Sequence, residues 1–388
     1  MGWTRAGSSG LVAVAVALLV STTAHAVPEG VVAGAGMSGS VEGSYLVTLR
    51  AGTSAEEGRA VAAAYGASVT HAYSATLNGY AVHADPRQAR RLAADPRVAS
   101  VVQDTRVNAE AGTASWGLDR IDQASLPLDD AYRAPASQGA GVTVYVIDTG
   151  IRISHKELAG RAGYGWDFVG GDRYAGDGHG HGTHVAATVA GSTLGVARRA
   201  RVVSVRVLDD SGAGTIARTI AGIDWVTRHA KRPAVANLSL GGPANAALDA
   251  AVRASIRAGV TYTVAAGNSG RPVGGYSPGR VAEAVTVGAT DRWDARLSYS
   301  NYGSRVDLFA PGGSIVSASN ASDTGRAVYS GTSMAAPHAA GAAALYLADH
   351  PKATPAQVAG ELVRDAVNGK VSGRGTGSPD KLLQVPAP

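Results

Sequence analysis

Cysteine is absent from the 388 residues, which excludes disulfides, thiol catalysis and cysteine-bound metal; any metal would need oxygen or histidine ligands. Aromatic residues make up only 5% of the chain while glycine reaches 51. Helices and strands can therefore approach closely, and many turns can use backbone angles closed to other residues. Blocks of basic charge are also missing. The 35 Lys and Arg are scattered among 30 Asp and Glu, with no RNP-like segment or zinc-finger spacing, so the net charge of +5 points to no nucleic-acid partner. Long apolar runs are scarce: the N-terminal one, at 11–20, is too short to span a bilayer, and no later one reaches about 18 residues.

That N-terminal run follows Arg5 and precedes Ala24-His25-Ala26, the layout of a secretory signal over 1–26, with cleavage expected after Ala26. The mature chain is then expected to be soluble, extracellular and free of the membrane. Without disulfides, its stability outside the cell must come from packing or bound ions.

A composition of 45% hydrophobic and 17% charged residues is globular, and the length suits two domains. Residues 27–43 are Gly-rich and aperiodic, a linker. Over 44–108, apolar strands at 45–49, 67–72, 79–83 and 98–102 are separated by two helical segments. One helix opens on Ser54-Ala55-Glu56-Glu57, a capping-box pattern, and the other on Asp85-Pro86, a helix-start signal. The order β-α-β-β-α-β predicts a small α+β ferredoxin-like unit, only marginally able to fold alone. The polar stretch 103–115 reads as an exposed connector and processing site, and 109–115 separates the small domain from a large one at 116–388. In the large domain, β-branched runs at 142–147, 202–207, 235–240, 260–265 and 284–288 alternate with helical patterns. That alternation predicts a three-layer α/β fold with a mainly parallel sheet, whose ligands bind beyond the carboxyl ends of the strands.

The chemistry-bearing residues cluster at such positions. Asp148-Thr149-Gly150 ends the first large-domain strand. Asp177-Gly178-His179-Gly180-His181-Gly182-Thr183-His184 places three histidines within six residues. A zinc site is one reading of them, but neither His-Glu-x-x-His nor a cysteine ligand is present; the other reading is a single base at a helix start. Gly331-Thr332-Ser333-Met334-Ala335-Ala336-Pro337-His338 opens an apolar helix with Thr332 or Ser333 placed to cap it. A serine hydroxyl attacks a carbonyl well only when an imidazole takes its proton, and a carboxylate on the other ring nitrogen fixes the tautomer.

With Asp148, His181 and Ser333 in that order, the chain resembles the subtilisin-like serine proteases, nearest the proteinase K and aqualysin branch. The small domain resembles that family's inhibitory propeptide. The resemblance implies a secreted, monomeric endopeptidase that cleaves protein and peptide substrates. It would be made as a zymogen whose 44–108 unit assists folding and blocks the cleft until self-cleavage between Asn108 and Gly112. It implies Asp148, His181 and Ser333 as catalytic residues, with no catalytic cofactor. His184 and His338 would be structural, and His179 a solvated neighbour. Asn268, after strand 260–265, would donate to the oxyanion beside the Ser333 N–H. Substrate would pair as an extended strand with Gly212, Ala213 and Gly214 and with Ser239, Leu240 and Gly241. Ala265, Ala266 and Gly267 would line an uncharged primary pocket for apolar or aromatic side chains, with Ile216 shaping an outer one. Structural calcium is implied at Asp307 with carbonyls near Ala282 and Ala284, and at Asp119, Asp122 and Gln123 on one face of a helical turn with Asp129 nearby, although Ala131 replaces an expected polar ligand there. The rival from another class, a silent fold used for binding, conflicts with the complete catalytic set; a transferase or esterase using the same acyl-enzyme would need the same residues.

Overall fold

The computed structural model describes residues 1–2, 28–36, 40–73, 75–108 and 116–386. The signal run, the cut after Ala26 and the cut expected between Asn108 and Gly112 lie outside the described residues.

The small domain contains β1 (Val32–Ala33), β2 (Ser40–Leu49), α1 (Ala55–Ala64), β3 (Ser68–Tyr73), β4 (Gly79–His83), α2 (Pro86–Ala94) and β5 (Val98–Asn108). Both helices start with a full capping box, Ser54 with Glu57 and Asp85 with Gln88, so two orphan N–H groups are satisfied at each start. The sheet order is β1-β5-β2-β4-β3. On β2 the pleat divides the side chains: Tyr45, Val47 and Leu49 enter the domain's own core with Val61 and Leu92, while Leu46 points into the large domain's core. Two boundaries differ from expectation. The linker at 27–43 contains β1, paired parallel to β5 through Val32 and Val101, and the first residues of β2. The polar stretch from Gln103 is no exposed connector, since β5 runs on through Asn108. Gln103 donates to the Val41 carbonyl at 2.6 Å and Asp104 accepts from Ser44 Oγ at 2.9 Å, so polar residues are buried there because they are hydrogen-bonded.

The large domain is built on β6 (Thr143–Asp148), β7 (Ala162–Asp167), β8 (Arg201–Arg206), β10 (Ala234–Leu238), β12 (Thr261–Ala265), β14 (Val285–Thr290), β15 (Leu308–Pro311), β18 (Val367–Asn368) and β19 (Lys381–Leu382). They form one sheet in the order β18-β19-β15-β14-β12-β10-β6-β8-β7, parallel throughout except for β18 against β19. Central strands such as β6 are buried at every position, which is why they read as continuous apolar runs. Val144 and Val146 face a core shared with α4 (His181–Ala190) and α7 (Thr332–Asp349). Tyr145 and Ile147 face the opposite core with α5 (Ile216–His229) and α6 (Ala246–Arg257). Short pairs complete the domain: β11 (Gly242–Pro243) with β13 (Tyr276–Ser277), and β16 (Ile315–Ala318) with β17 (Arg326–Tyr329). Helices α3 (Gly117–Ile121) and α8 (Pro355–Asp365) add to the first face.

The two domains meet across α5. Asp224 on this helix accepts from the Ala75 and Thr76 N–H groups at 2.7 and 2.9 Å. In return Asp104 accepts from the Ala217 N–H at 3.2 Å and the Tyr73 hydroxyl donates to the Ala217 carbonyl at 3.0 Å. Beyond Asp104, β5 continues antiparallel to β9 (Ala213–Thr215), pairing Asn108 with Ala213 and Val107 with Gly214.

Candidate active site

Carboxyl-side strand ends and helix starts carry the candidate residues: Asp148 meets His181, Ser333 meets Ser239, and Thr332 meets Asn268. Asp148 is the last residue of β6 and His181 the first of α4, and both are fully buried, with Asp148 Oδ1 2.7 Å from His181 Nδ1. The same oxygen accepts from the Thr149 N–H at 2.7 Å, so the carboxylate is fixed by backbone before it orients the ring. Gly180 precedes α4 with φ of 105°, a turn only glycine makes freely, and no capping side chain sits at that position. Asp177 replaces it. Its Oδ1 accepts from the His179 and Gly180 N–H groups at 3.0 and 2.8 Å, and its Oδ2 from the Thr183 N–H at 2.9 Å. The sequence reading passed over Asp177, although an acid just before a helix start is a capping signal.

Ser333 is the second residue of α7. Neither it nor Thr332 caps the helix, contrary to expectation: the N-cap is Gly331 at φ 145°. The Thr332 N–H donates instead to Asn268 Oδ1 at 2.9 Å, and the Thr332 hydroxyl donates to the same oxygen at 3.0 Å. Asn268 thereby caps α7 from the loop that follows β12. With its oxygen committed, its Nδ2 is the group left to meet a ligand, and a Cβ built on Gly331 would stand 3.1 Å from it. The Ser333 hydroxyl donates to the Ser239 carbonyl at 3.0 Å, and Ser239 Oγ donates back to the Ser333 carbonyl at 2.7 Å. That second bond has a covalent cause. Residue 337 is proline and has no N–H to give the carbonyl four residues earlier, so Ser239 supplies the missing donor.

The loop that carries Asn268 is held by Asn301, a residue the sequence reading missed. Asn301 is fully buried; its Nδ2 donates to the Ala266 carbonyl at 2.8 Å, and its Oδ1 accepts from the Ser269 and Arg271 N–H groups at 3.1 and 3.0 Å. Ala265 and Ala266 are buried and Gly267 has φ of 97°. Of the predicted strand-pairing residues, Ala213 and Gly214 pair with β5, Gly212 precedes them, and Ser239, Leu240 and Gly241 lead into β11. Ile216 is fully buried.

The other histidines divide by environment. His184 Nε2 lies 2.9 Å from the Ile315 carbonyl and its ring 4.6 Å from that of Tyr329; burial pushes its pKa down to about 3. Burial likewise takes His338 down to about 4, with Nδ1 2.8 Å from the Met334 carbonyl. His179, expected to be solvated, is half-buried and packs over Gly212. Because both His184 and His338 sit below their ordinary value of 6.5, their contribution to stability is complete above that pH. It is lost as pH falls from 6.5 toward 4 and 3, where the unfolded chain takes up protons that the folded one refuses. We expect unfolding free energy to fall over this window by up to about 1.4 kcal/mol per pH unit for each histidine. Chemical denaturation of His338→Gln at several pH values should give a shallower acid limb than the parent; parallel limbs would contradict this origin.

The residues expected to bind calcium fall into two loops. Asp307 is half-buried, its Oδ2 accepts from the Thr286 N–H at 2.7 Å two residues beyond Ala284, and burial raises its pKa to about 6. A carboxylate withdrawn from water in this way is a group that a hard cation would stabilise. At the other position α3 stops at Ile121, so Asp122 and Gln123 lie past the helix and not on one face of it with Asp119. Asp119 accepts from the Asp129 and Asp130 N–H groups at 3.3 and 2.8 Å, Gln123 donates to the Pro127 carbonyl at 2.8 Å, and Asp129 pairs with Arg133 at 2.7 Å. Of the side-chain oxygens in this loop, Asp122 Oδ1 is buried without a hydrogen-bond partner among the described residues. These side chains are spent within the protein, and no group of three or more His, Asp or Glu is arranged to hold a metal among the described residues. The donors of this second loop do not fit calcium as they stand.

Comparison with known proteins places the chain in a family. Residues 139–381 match the subtilase family and residues 40–110 the peptidase inhibitor I9 family. The chain belongs to the subtilases. It is a serine proteinase preceded by an I9 propeptide domain. The extracellular serine proteinase of Thermus sp. (strain Rt41A) is 52% identical over 83% of this chain and 78% of its own length. Alkaline serine exoprotease A of Vibrio alginolyticus is 47% identical over 82% of this chain and 60% of its own. Among solved structures, a cold adapted subtilisin-like serine proteinase is 51% identical with a TM-score of 0.69, covering 71% of this chain and all of its own. This subtilase thus shares its fold with a solved relative, and its Asp148–His181 pair occupies the strand-end position at which such sheets bind ligands.

Proposed function

We propose that this subtilase is a secreted endopeptidase, made as a self-processing zymogen, in which Asp148, His181 and Ser333 act as a triad. The observation that carries the reading is the antiparallel pairing of β5 with β9. A stretch of the chain's own backbone is seated as an added strand on β9, the segment expected to pair with substrate, and this is the mode in which a peptide substrate is held. Ser333 Oγ attacks the scissile carbonyl while His181 Nε2 takes its proton. Asp148 Oδ1 accepts the Nδ1–H, 2.7 Å away, and stabilises the imidazolium. Negative charge on the carbonyl oxygen is met by Asn268 Nδ2 and by the Ser333 N–H, a first-turn group with no intrahelical acceptor. His181 then protonates the leaving amine, and water repeats the attack on the acyl-enzyme. Gly212, Ala213 and Gly214 on one side and Ser239, Leu240 and Gly241 on the other hold the substrate backbone. The small uncharged walls at Ala265, Ala266 and Gly267 favour apolar or aromatic side chains.

The test exposes the purified full chain and a Ser333→Ala control to a serine-directed phosphonylating reagent, follows conversion to a shorter form, and assays casein together with peptides blocked at both ends. The parent should be labelled, shorten itself and cut blocked peptides internally. If it stays full length, unlabelled and inactive, the reading fails; if it cuts only unblocked termini, it is an exopeptidase.

Calcium at Asp307 is proposed as a structural ion with no part in the chemical steps. The folded carboxyl, with its pKa raised to about 6, contributes most to stability when protonated, and that contribution is lost as pH rises through 6. A bound cation would offset the loss. We expect calcium to raise the thermal midpoint of Ser333→Ala more at pH 8 than at pH 5, and Asp307→Asn to abolish most of the response. An equal response in Asp307→Asn would place the ion elsewhere.

A further inference from the structure

We propose that Asn301 is a positioning residue for the oxyanion donor, holding the loop from Ala266 to Arg271 in the only arrangement that aims Asn268 Nδ2 at the reacting carbonyl. The proposal rests on the proposed role of Asn268. Asn268 is held at two levels. Its side-chain oxygen is tied to Thr332 by the N–H and the hydroxyl at 2.9 and 3.0 Å, and Thr332 Oγ1 also accepts from the Gly267 N–H at 3.0 Å. Those bonds set which way the amide faces, but they act only if the backbone of 267–269 is already in place, and nothing in Thr332 constrains the far side of the loop.

Asn301 supplies that constraint. It sits across the turn and reaches backbone on both sides of Asn268: the Ala266 carbonyl two residues before, and the Ser269 and Arg271 N–H groups one and three residues after. Its own N–H donates to the Gly267 carbonyl at 2.8 Å. One residue therefore makes four hydrogen bonds to the five residues around the donor, and being fully buried it makes them where water offers no replacement. The fit is close. Gly267 has φ of 97°, and a Cβ there would stand 2.5 Å from Asn301 Nδ2, so glycine at 267 is the condition for Asn301 to approach the Ala266 carbonyl. An oxyanion donor acts by being preorganised, and a displacement of about 1 Å from the reacting geometry can cost up to about 10²-fold.

A merely structural asparagine would lower stability without changing how well the intermediate is held, and a double-mutant cycle separates the two. The parent, Asn268→Ala, Asn301→Ala and the double variant are compared on one blocked peptide, with rates divided by the number of sites phosphonylated at Ser333, so that misfolded molecules are not counted. Asn301→Ala is expected to lower kcat about 10-fold or more with a smaller change in KM. In the Asn268→Ala background it should lower kcat less than about 2-fold, because the donor it aims is gone. An equal loss in both backgrounds, or a loss confined to KM, overturns the proposal. If Asn268→Ala alone leaves kcat unchanged, it is the oxyanion role of Asn268 that fails. Asn301→Asp covers the case in which the alanine variant yields too few labelled sites. Its carboxylate has no donor for the Ala266 carbonyl, but its protonated form does, so its kcat relative to the parent should rise as pH falls; a pH-independent ratio overturns the proposal.

Discussion

His181→Ala is expected to lower kcat for peptide hydrolysis about 10⁶-fold, and Asp148→Asn about 10⁴-fold. The order follows from what each change leaves behind. Without His181 no base takes the proton from Ser333, and only the oxyanion donors and substrate pairing remain. With asparagine at 148 the imidazole stays, but the group facing Nδ1 at 2.7 Å can become a donor. The ring proton then moves to Nε2, the nitrogen that must accept from Ser333. The stability effects run in the same order. Asp148 is fully buried, and its Oδ2 has no hydrogen-bond partner among the described residues, so removing His181 leaves a buried carboxylate held only by the Thr149 N–H. Asp148→Asn removes that charge. Single-turnover kinetics with thermal unfolding on the same proteins will check both orders; His181→Ala that is more active than Asp148→Asn would contradict the assigned roles. Both variants are also expected to remain full length, since the same residues would release the propeptide domain.

Asp294→Asn should destabilise the protein by about 3–5 kcal/mol without touching the site. Arg120 is the largest fully buried side chain among the described residues, and its guanidinium grips Asp294 through two bonds of 2.7 and 2.9 Å with side-chain exposures of 0% and 6%. Its third nitrogen donates to the Gln123 carbonyl at 2.6 Å. The pair joins α3 to the turn at 291–295 in a chain that has no disulfide to do so. Asparagine keeps the shape and tolerates the φ of 65° at this position, but it cannot neutralise an arginine that has no water around it. Replacing both partners by apolar residues of similar volume should cost less than the single change, because neither charge is then stranded. Denaturation in the Ser333→Ala background, where self-digestion cannot intervene, measures all three. A single change costing less than about 1 kcal/mol would show that water reaches Arg120.

Much of this was legible in the residues. Strand and helix order in both domains could be read because buried parallel strands are continuous apolar runs, as in β6, and because Ser54 with Glu57 and Asp85 with Gln88 announce their helices. The boundary at Gln103 was not legible. Its polar residues read as a connector, yet Gln103 is satisfied by carbonyls some 60 positions earlier and Asp104 by an N–H more than 100 positions later, in the second domain. Asn301 left no local signal either, since its four bonds go to residues 30 to 35 positions earlier.

The stretch from Gly331 to His338 marks the division. Sequence by itself determined that a serine opens a long apolar helix, that an Asp-Thr-Gly turn and a His-Gly-Thr-His helix start lie elsewhere in the chain, and that no thiol or disulfide takes part. Those features are local, set by spacing, composition and the chemistry of single side chains. Only the tertiary structure decided that Asn268 caps α7 in place of Thr332 or Ser333, that Ser239 takes the carbonyl freed by Pro337, and that β5 lies antiparallel to β9. Each of these is a hydrogen bond or strand pairing between segments distant in the chain, fixed by where the sheet order brings the strand ends.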